Sequence, residues 1–177
     1  MVIRRGVHTD AAELAALAER TFRETFAADN NAADMDAYCA SAYGPEIQGA
    51  HLADHEVDTL VVEADDELIG YAQLRPGAPP VVGDAEIPGS PRTIELWRFY
   101  VDRAHHGRGV AAALMDAVVF AARARGARTM WLGVWERNLR AQAFYRKVGF
   151  VDIGSQQFVL GSDVQTDRVM ARTLVAA

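Results

Sequence analysis

Two glycines and an arginine, set between a run of large apolar residues and a long helical pattern, form the first arrangement in this chain that could do chemistry. Residues 94–101 read as a buried strand. His106-Gly107-Arg108-Gly109-Val110-Ala111 then opens a helix in which Val110, Leu114, Ala117, Val118 and Ala121 recur on one face. Strand, glycine-rich turn and helix can together hold an anion. The first N–H groups of a helix have no partner inside it, and they carry the positive end of its dipole. Gly107 and Gly109 let the backbone approach a phosphate, and Arg108 adds a cation. A tight strand-to-helix connection would use the same residues, so the turn by itself leaves both readings open. No Gly-Lys-Ser/Thr follows it, and the third glycine of the dinucleotide fingerprint is missing, so the familiar nucleotide loops do not fit.

The turn resembles the acetyl-CoA loop of the GCN5-related N-acetyltransferases (GNAT), whose signature is Gln/Arg-x-x-Gly-x-Gly/Ala; here His106 takes the first place and Ala111 the last. Residues 138–150, from Asn138 through Ala141, Phe144 and Tyr145 to Gly149 and Phe150, resemble the same family's Asn-x-x-Ala-x-x-Phe-Tyr-x-x-x-Gly-Phe helix. Residues 95–101, 131–138 and 160–167 are similar to the PaiA-type polyamine (spermidine/spermine) N-acetyltransferases. The resemblance implies an α/β (α+β) GNAT fold, a mixed twisted sheet of about seven strands with helices on both faces, forming a single domain over residues 1–177. It also implies acetyl-CoA as co-substrate, and direct transfer of acetyl, in a ternary complex, to the primary amine of a small cationic, polyamine-like acceptor. An aminoglycoside, an amino acid or a protein N-terminus stays open as acceptor, as does a non-catalytic module that only binds acetyl-CoA.

Acetyl transfer from a thioester to an amine sets three requirements. A free alkyl ammonium has a pKa near ~10.4, so a base must take its proton. The carbonyl oxygen gains charge and needs donors, and the departing thiolate gains from a proton. By resemblance, Tyr145 is the acid for the leaving group, and Asn138 hydrogen-bonds the pantetheine arm. Backbone groups of Tyr100 and Val101 bind pantetheine and polarise the thioester, and residues 106–111 hold the pyrophosphate. Glu95, eleven residues before His106, stands where histone-type members carry the general base. The residues alone also support structural roles. Tyr145 shares a packing stripe with Ala141, Phe144 and Val148, Asn138 can cap a helix, and Tyr100 and Val101 read as core. Water can stand in for Glu95, whose partner could be Arg98 if a bulge brings both to one face of the strand. Cys39 is poorly placed to carry an acyl group.

Composition narrows the class. The net charge of −6 is unevenly spread: residues 1–98 hold 7 Lys or Arg against 18 Asp or Glu, a balance of −11, and residues 99–177 a balance of +5. That split suits an anionic cofactor and a cationic acceptor, with Asp29, Asp34, Asp36, Asp54, Glu56 and Asp58 around the helices expected over the acceptor. Overall acidity disfavours nucleic acid. The lone Cys39 suits a reducing compartment, and residues 1–6 have no signal-peptide core, so a cytoplasmic protein is expected. The longest apolar stretch carries Asp116, so no membrane span is expected. His51 and His55 lie one helical turn apart with no third ligand, which reads as exposed helix histidines and no metal site. The oligomeric state, a homodimer included, is left open.

From the N-terminus, a strand is expected over 2–7 and a helix after Thr9 or Asp10 with Leu14, Leu17, Phe22 and Phe26 inward. Helices follow over 32–42 and 46–55, then a hairpin of 59–64 and 68–74, and a loop over 75–92 holding five of the six prolines. The strand and helix of the turn come next. The chain ends with a strand over 128–135, a helix over 138–148 and an antiparallel pair of 150–161 and 167–174.

Overall fold

Asp65 and Asp66 both take positive φ, 53° and 62°. Two such residues make a primed turn whose twist matches the strands it joins, and it links β2 (Asp58–Ala64) to β3 (Glu67–Pro76). Both strands are nearly continuous apolar runs and are buried along most of their length, so both faces of the sheet are covered here. The computed structural model describes residues 1–80 and 92–174. Around this hairpin lie β1 (Val2–Arg5), α1 (Ala11–Phe26), α2 (Ala32–Ala42), α3 (Pro45–Ala53), β4 (Thr93–Val101), α4 (Val110–Ala124), β5 (Thr129–Trp135), α5 (Leu139–Lys147), β6 (Val151–Leu160) and β7 (Asp163–Thr173). The seven strands form one sheet in the order β1-β2-β3-β4-β5-β7-β6, antiparallel except for β4 beside β5. That parallel pair is joined through α4, the crossover such a pair needs. The mixed seven-stranded sheet expected from the sequence is thus observed.

The helices bury apolar stripes on opposite faces. On one, Leu114, Val118 and Ala122 of α4 pack with Val62, Ala72, Leu96, Met130, Leu132 and Met170, and Tyr145 of α5 joins them. On the other, Leu14, Leu17, Ala18 and Phe22 of α1 and Met35 and Cys39 of α2 pack on Val61, Leu68, Tyr71 and Leu160.

Several boundaries differ from the sequence reading. Pro45 begins α3, one residue before the expected start, since a first-turn position asks for no N–H. β7 starts at Asp163, because pairing with β6 across the Gly161–Ser162 turn satisfies a polar stretch that has no apolar rhythm. β3 runs on to Pro76. The rest of the expected 75–92 loop lies largely in residues 81–91, outside the described residues.

The site is created by what β4 does. It pairs with β5 only at Thr93↔Thr129, Ile94↔Met130 and Glu95↔Trp131. Beyond that, β4 stays with β3 as far as Gly70↔Val101, while β5 stays with β7 as far as Trp135↔Asp167, and the two strands part. The register on β3 also jumps from Leu74↔Leu96 to Gln73↔Arg98, which leaves Trp97 as a β-bulge. Ile94 and Leu96 before it and Phe99 and Val101 after it therefore all face the α4–α5 core, while Tyr100 packs on the α1–α2 side.

Candidate active site

Where β4 and β5 part, a cleft of about 1010 Å³ opens. Gly107 and Gly109 border it with φ of 76° and 82°, a region that side chains rarely adopt. Gly109 is the N-cap of α4, and no side chain caps the helix. The first intrahelical bond shown is Ala113 N–H to Gly109 carbonyl at 3.1 Å, so the N–H groups of Val110, Ala111 and Ala112 have no helical partner. A Cβ built on either glycine would meet nothing within 4 Å. Open space over unpartnered donors at the N-terminus of a 15-residue helix fits an anion such as a pyrophosphate. The His106 ring folds back onto β4, with Nε2 2.8 Å from the Val101 carbonyl, tying the turn to the strand end. Arg108, by contrast, is exposed and does not line the cleft. The wall's cations at this end are instead Arg103, Arg137, Arg140 and Lys147.

Tyr145 lines the same cleft and is also packed edge-on to Phe99, Phe144 and Phe150, at centroid distances of 6.2, 5.6 and 5.6 Å. The packing stripe and the site position coexist. Burial pushes its phenol well above the ordinary range, so it stays protonated and can donate. Asn138 combines its two readings in the same way: Oδ1 accepts from Ala141 N–H at 3.1 Å as the cap of α5, while the residue lines the cleft. Tyr100 and Val101 line it too, Tyr100 stacked on Tyr71 with centroids 5.7 Å apart. Glu95 is the last β4 residue paired to β5, at the apex of the opening. Its partner is not Arg98. Arg75 stands directly opposite it on β3 and forms the ion pair, although the Trp97 bulge does bring Glu95 and Arg98 to one face of the strand. Cys39 is buried against α1 away from the cleft, and burial raises its thiol, so it is unreactive.

Other residues of the cleft have no local sequence signal. Asp167 lines it beside Gln156. Burial pushes its carboxyl up to about 6, a hydrogen bond from Gln156 acts the other way, and Glu136 adds repulsion. Arg98, only 7% exposed, lies with its guanidinium carbon 4.2 Å from the Trp97 ring centroid and 4.8 Å from that of Tyr43. Phe22, Phe26, Tyr38, Trp135 and Phe158 complete an aromatic end.

The expected acidic roof is mostly engaged elsewhere. Asp58 is buried between Arg5 and Arg125, Asp36 pairs with Arg23, Asp34 accepts from Ser162, and Asp54 and Glu56 flank His55. Of the six acids, only Asp29 lines the cleft, joined there by Glu24. His51 is not exposed as expected but half-buried, its ring 5.0 Å from that of Trp97. No group of metal-binding side chains occurs among the described residues, and no described helix is long and apolar enough to cross a membrane.

The acetyltransferase (GNAT) family matches residues 12–150. An uncharacterized N-acetyltransferase of Mycobacterium tuberculosis is 39% identical over 171 residues, covering 94% of this chain and 99% of its own. Among solved structures, the PaiA N-acetyltransferase of Thermoplasma acidophilum in complex with coenzyme A superposes with a TM-score of 0.77 at 20% identity, covering 97% of this chain and 98% of that one. The yncA protein of Salmonella typhimurium, solved with acetyl-CoA, gives 0.67 at 22% identity over 100% and 95%.

Proposed function

The chain belongs to the acetyltransferase (GNAT) family of enzymes, and on that premise we propose that it transfers the acetyl group of acetyl-CoA to a primary amine bound in the same cleft. The observation that carries this reading is the parting of β4 from β5 after the Glu95–Trp131 pair, with the uncapped α4 N-terminus and Tyr145 both bordering the opening. The backbone donors at Val110, Ala111 and Ala112 would hold the pyrophosphate, and the free amide of Asn138 would bind the pantetheine arm. Backbone groups at Tyr100 and Val101 would polarise the thioester.

In the reaction a C–N bond forms between the amine and the acetyl carbon as the C–S bond breaks. The ammonium first loses a proton, to water or to a carboxylate, for which Glu95 and Asp167 are the candidates on the wall. The departing sulfur takes a proton from Tyr145, which recovers one from solvent. The products are an N-acetyl amine and free coenzyme A. Direct attack suits this cleft better than an acyl-enzyme, since its one cysteine, Cys39, lies outside it.

A polyamine-like acceptor draws support from the cleft acids Glu24, Asp29 and Asp167 and from the likeness to the PaiA structure, which reaches the fold alone. The ion pairs of Asp36 and Asp58 remove part of the charge argument behind it. Amine-dependent release of coenzyme A thiol, with acetylated product identified by mass spectrometry, tests the activity. Acetyl-CoA binding without turnover on any class of amine would make the protein a non-catalytic acetyl-CoA-binding module.

A further inference from the structure

Arg98 is a buried cation without a counter-charge. Its guanidinium donates only to neutral oxygens, the Gln73 side chain at 3.2 Å and the Ala42 carbonyl at 3.4 Å. No Asp or Glu among the described residues lies within ion-pair distance, and the neighbouring Arg75 is already paired with Glu95. Taking a charge out of water without a partner is costly, and a bound ligand of opposite charge would offset that cost. A second orphan adjoins it. The Tyr71 hydroxyl is buried without a hydrogen-bond partner, and Tyr71 stands two positions along β3 from Gln73, which Arg98 bonds.

Resting on the acetyl-transfer reading of this cleft, we infer that the acceptor is an amino-acid-type amine whose carboxylate docks on Arg98 beside the Tyr71 hydroxyl. One uncompensated cation calls for one negative charge, which a carboxylate supplies and a phosphate dianion exceeds. With Trp97 and Tyr43 lying over the guanidinium, its edge is what remains, and paired N–H groups there match the two oxygens of a carboxylate. Phe22, Phe26, Tyr38 and Phe158 offer the rest of the acceptor an apolar surface. Glu24, Asp29 and Asp167 on the same wall can receive its ammonium. The site therefore has charges of both signs, as a zwitterion requires.

The test compares amines that differ only by the carboxylate: L-phenylalanine with phenethylamine, and L-leucine with isoamylamine, with spermidine alongside. The carboxylated member of each pair should have the higher kcat/KM by about 100-fold, the worth of a hydrogen bond to a charged group. In Arg98→Met that ratio should collapse to near one, with the loss in KM. The thermal midpoint should hold or rise, because an apolar chain replaces an unpaired charge. A preference for the decarboxylated amines or spermidine, or a falling midpoint with the ratio intact, would overturn the inference. If no amine turns over, the acetyl-transfer reading fails instead, and calorimetry with 3-phenylpropionate decides on the carboxylate site. Binding that Arg98→Met abolishes supports it, and absence of binding to the wild-type protein refutes it.

Discussion

A phenol whose pKa burial has lifted cannot act as a base at neutral pH, and Tyr145 is confined to giving its proton. Replacing it with Phe keeps the packing against Phe99, Phe144 and Phe150 and removes only the donor. The Tyr145→Phe protein should lose on the order of 10²-fold in kcat, with acetyl-CoA affinity close to wild type, in steady-state kinetics paired with calorimetry. Asp167 carries the opposite lesson. Its folded carboxyl, near 6, holds a proton that the unfolded chain, near 3.8, has released. The native state thus binds more protons between those values, and this group's contribution to stability falls as pH rises from about 4 to about 6. Asp167→Asn keeps the shape and removes the titration. Urea unfolding should then show the wild type losing stability relative to the variant across that window, and parallel curves would contradict the assignment. Tyr145 and Asn138 were legible because their motif is contiguous on one helix. Asp167 and Arg98 were not, since in one dimension a polar residue near a strand end looks like any solvated one.

The decisive element is the start of α4, where two left-handed glycines precede three N–H groups without helical partners. Gly109→Val would not collide with the protein's own atoms, as the space beyond is open. It would hold a β-branched residue at positive φ, a cost of roughly 1–2 kcal/mol, and put a side chain over the donors. Acetyl-CoA should bind at least about tenfold more weakly to the folded variant, measured by calorimetry, and unchanged affinity would remove this turn from the site. The strand, turn and helix could be read from apolar rhythm and glycine spacing. The partner of Glu95 could not. It depends on the β3–β4 register, which sets Arg75 opposite. β7 was read four residues short for the same reason, as its first turn is held by pairing with β6 and not by its own hydrophobicity.

At the scale of the molecule, one long sheet carries two cores, and the parting of its central strands opens the cleft in which we propose that both substrates meet. The basic half of the sequence supplies Arg103, Arg137, Arg140 and Lys147 to the cleft wall, where we propose that the cofactor binds. At the other end a count of charges cannot see that Asp58 is sealed between two arginines, or that Arg98 has no acid beside it among the described residues. A crystal structure with bound acetyl-CoA tests the whole account most directly. Density is expected between β4 and β5, with pyrophosphate oxygens on the N–H groups of Val110, Ala111 and Ala112, and the thioester sulfur within hydrogen-bond reach of the Tyr145 hydroxyl. Acetyl-CoA bound elsewhere, or in this cleft with its sulfur turned away from Tyr145, would contradict it.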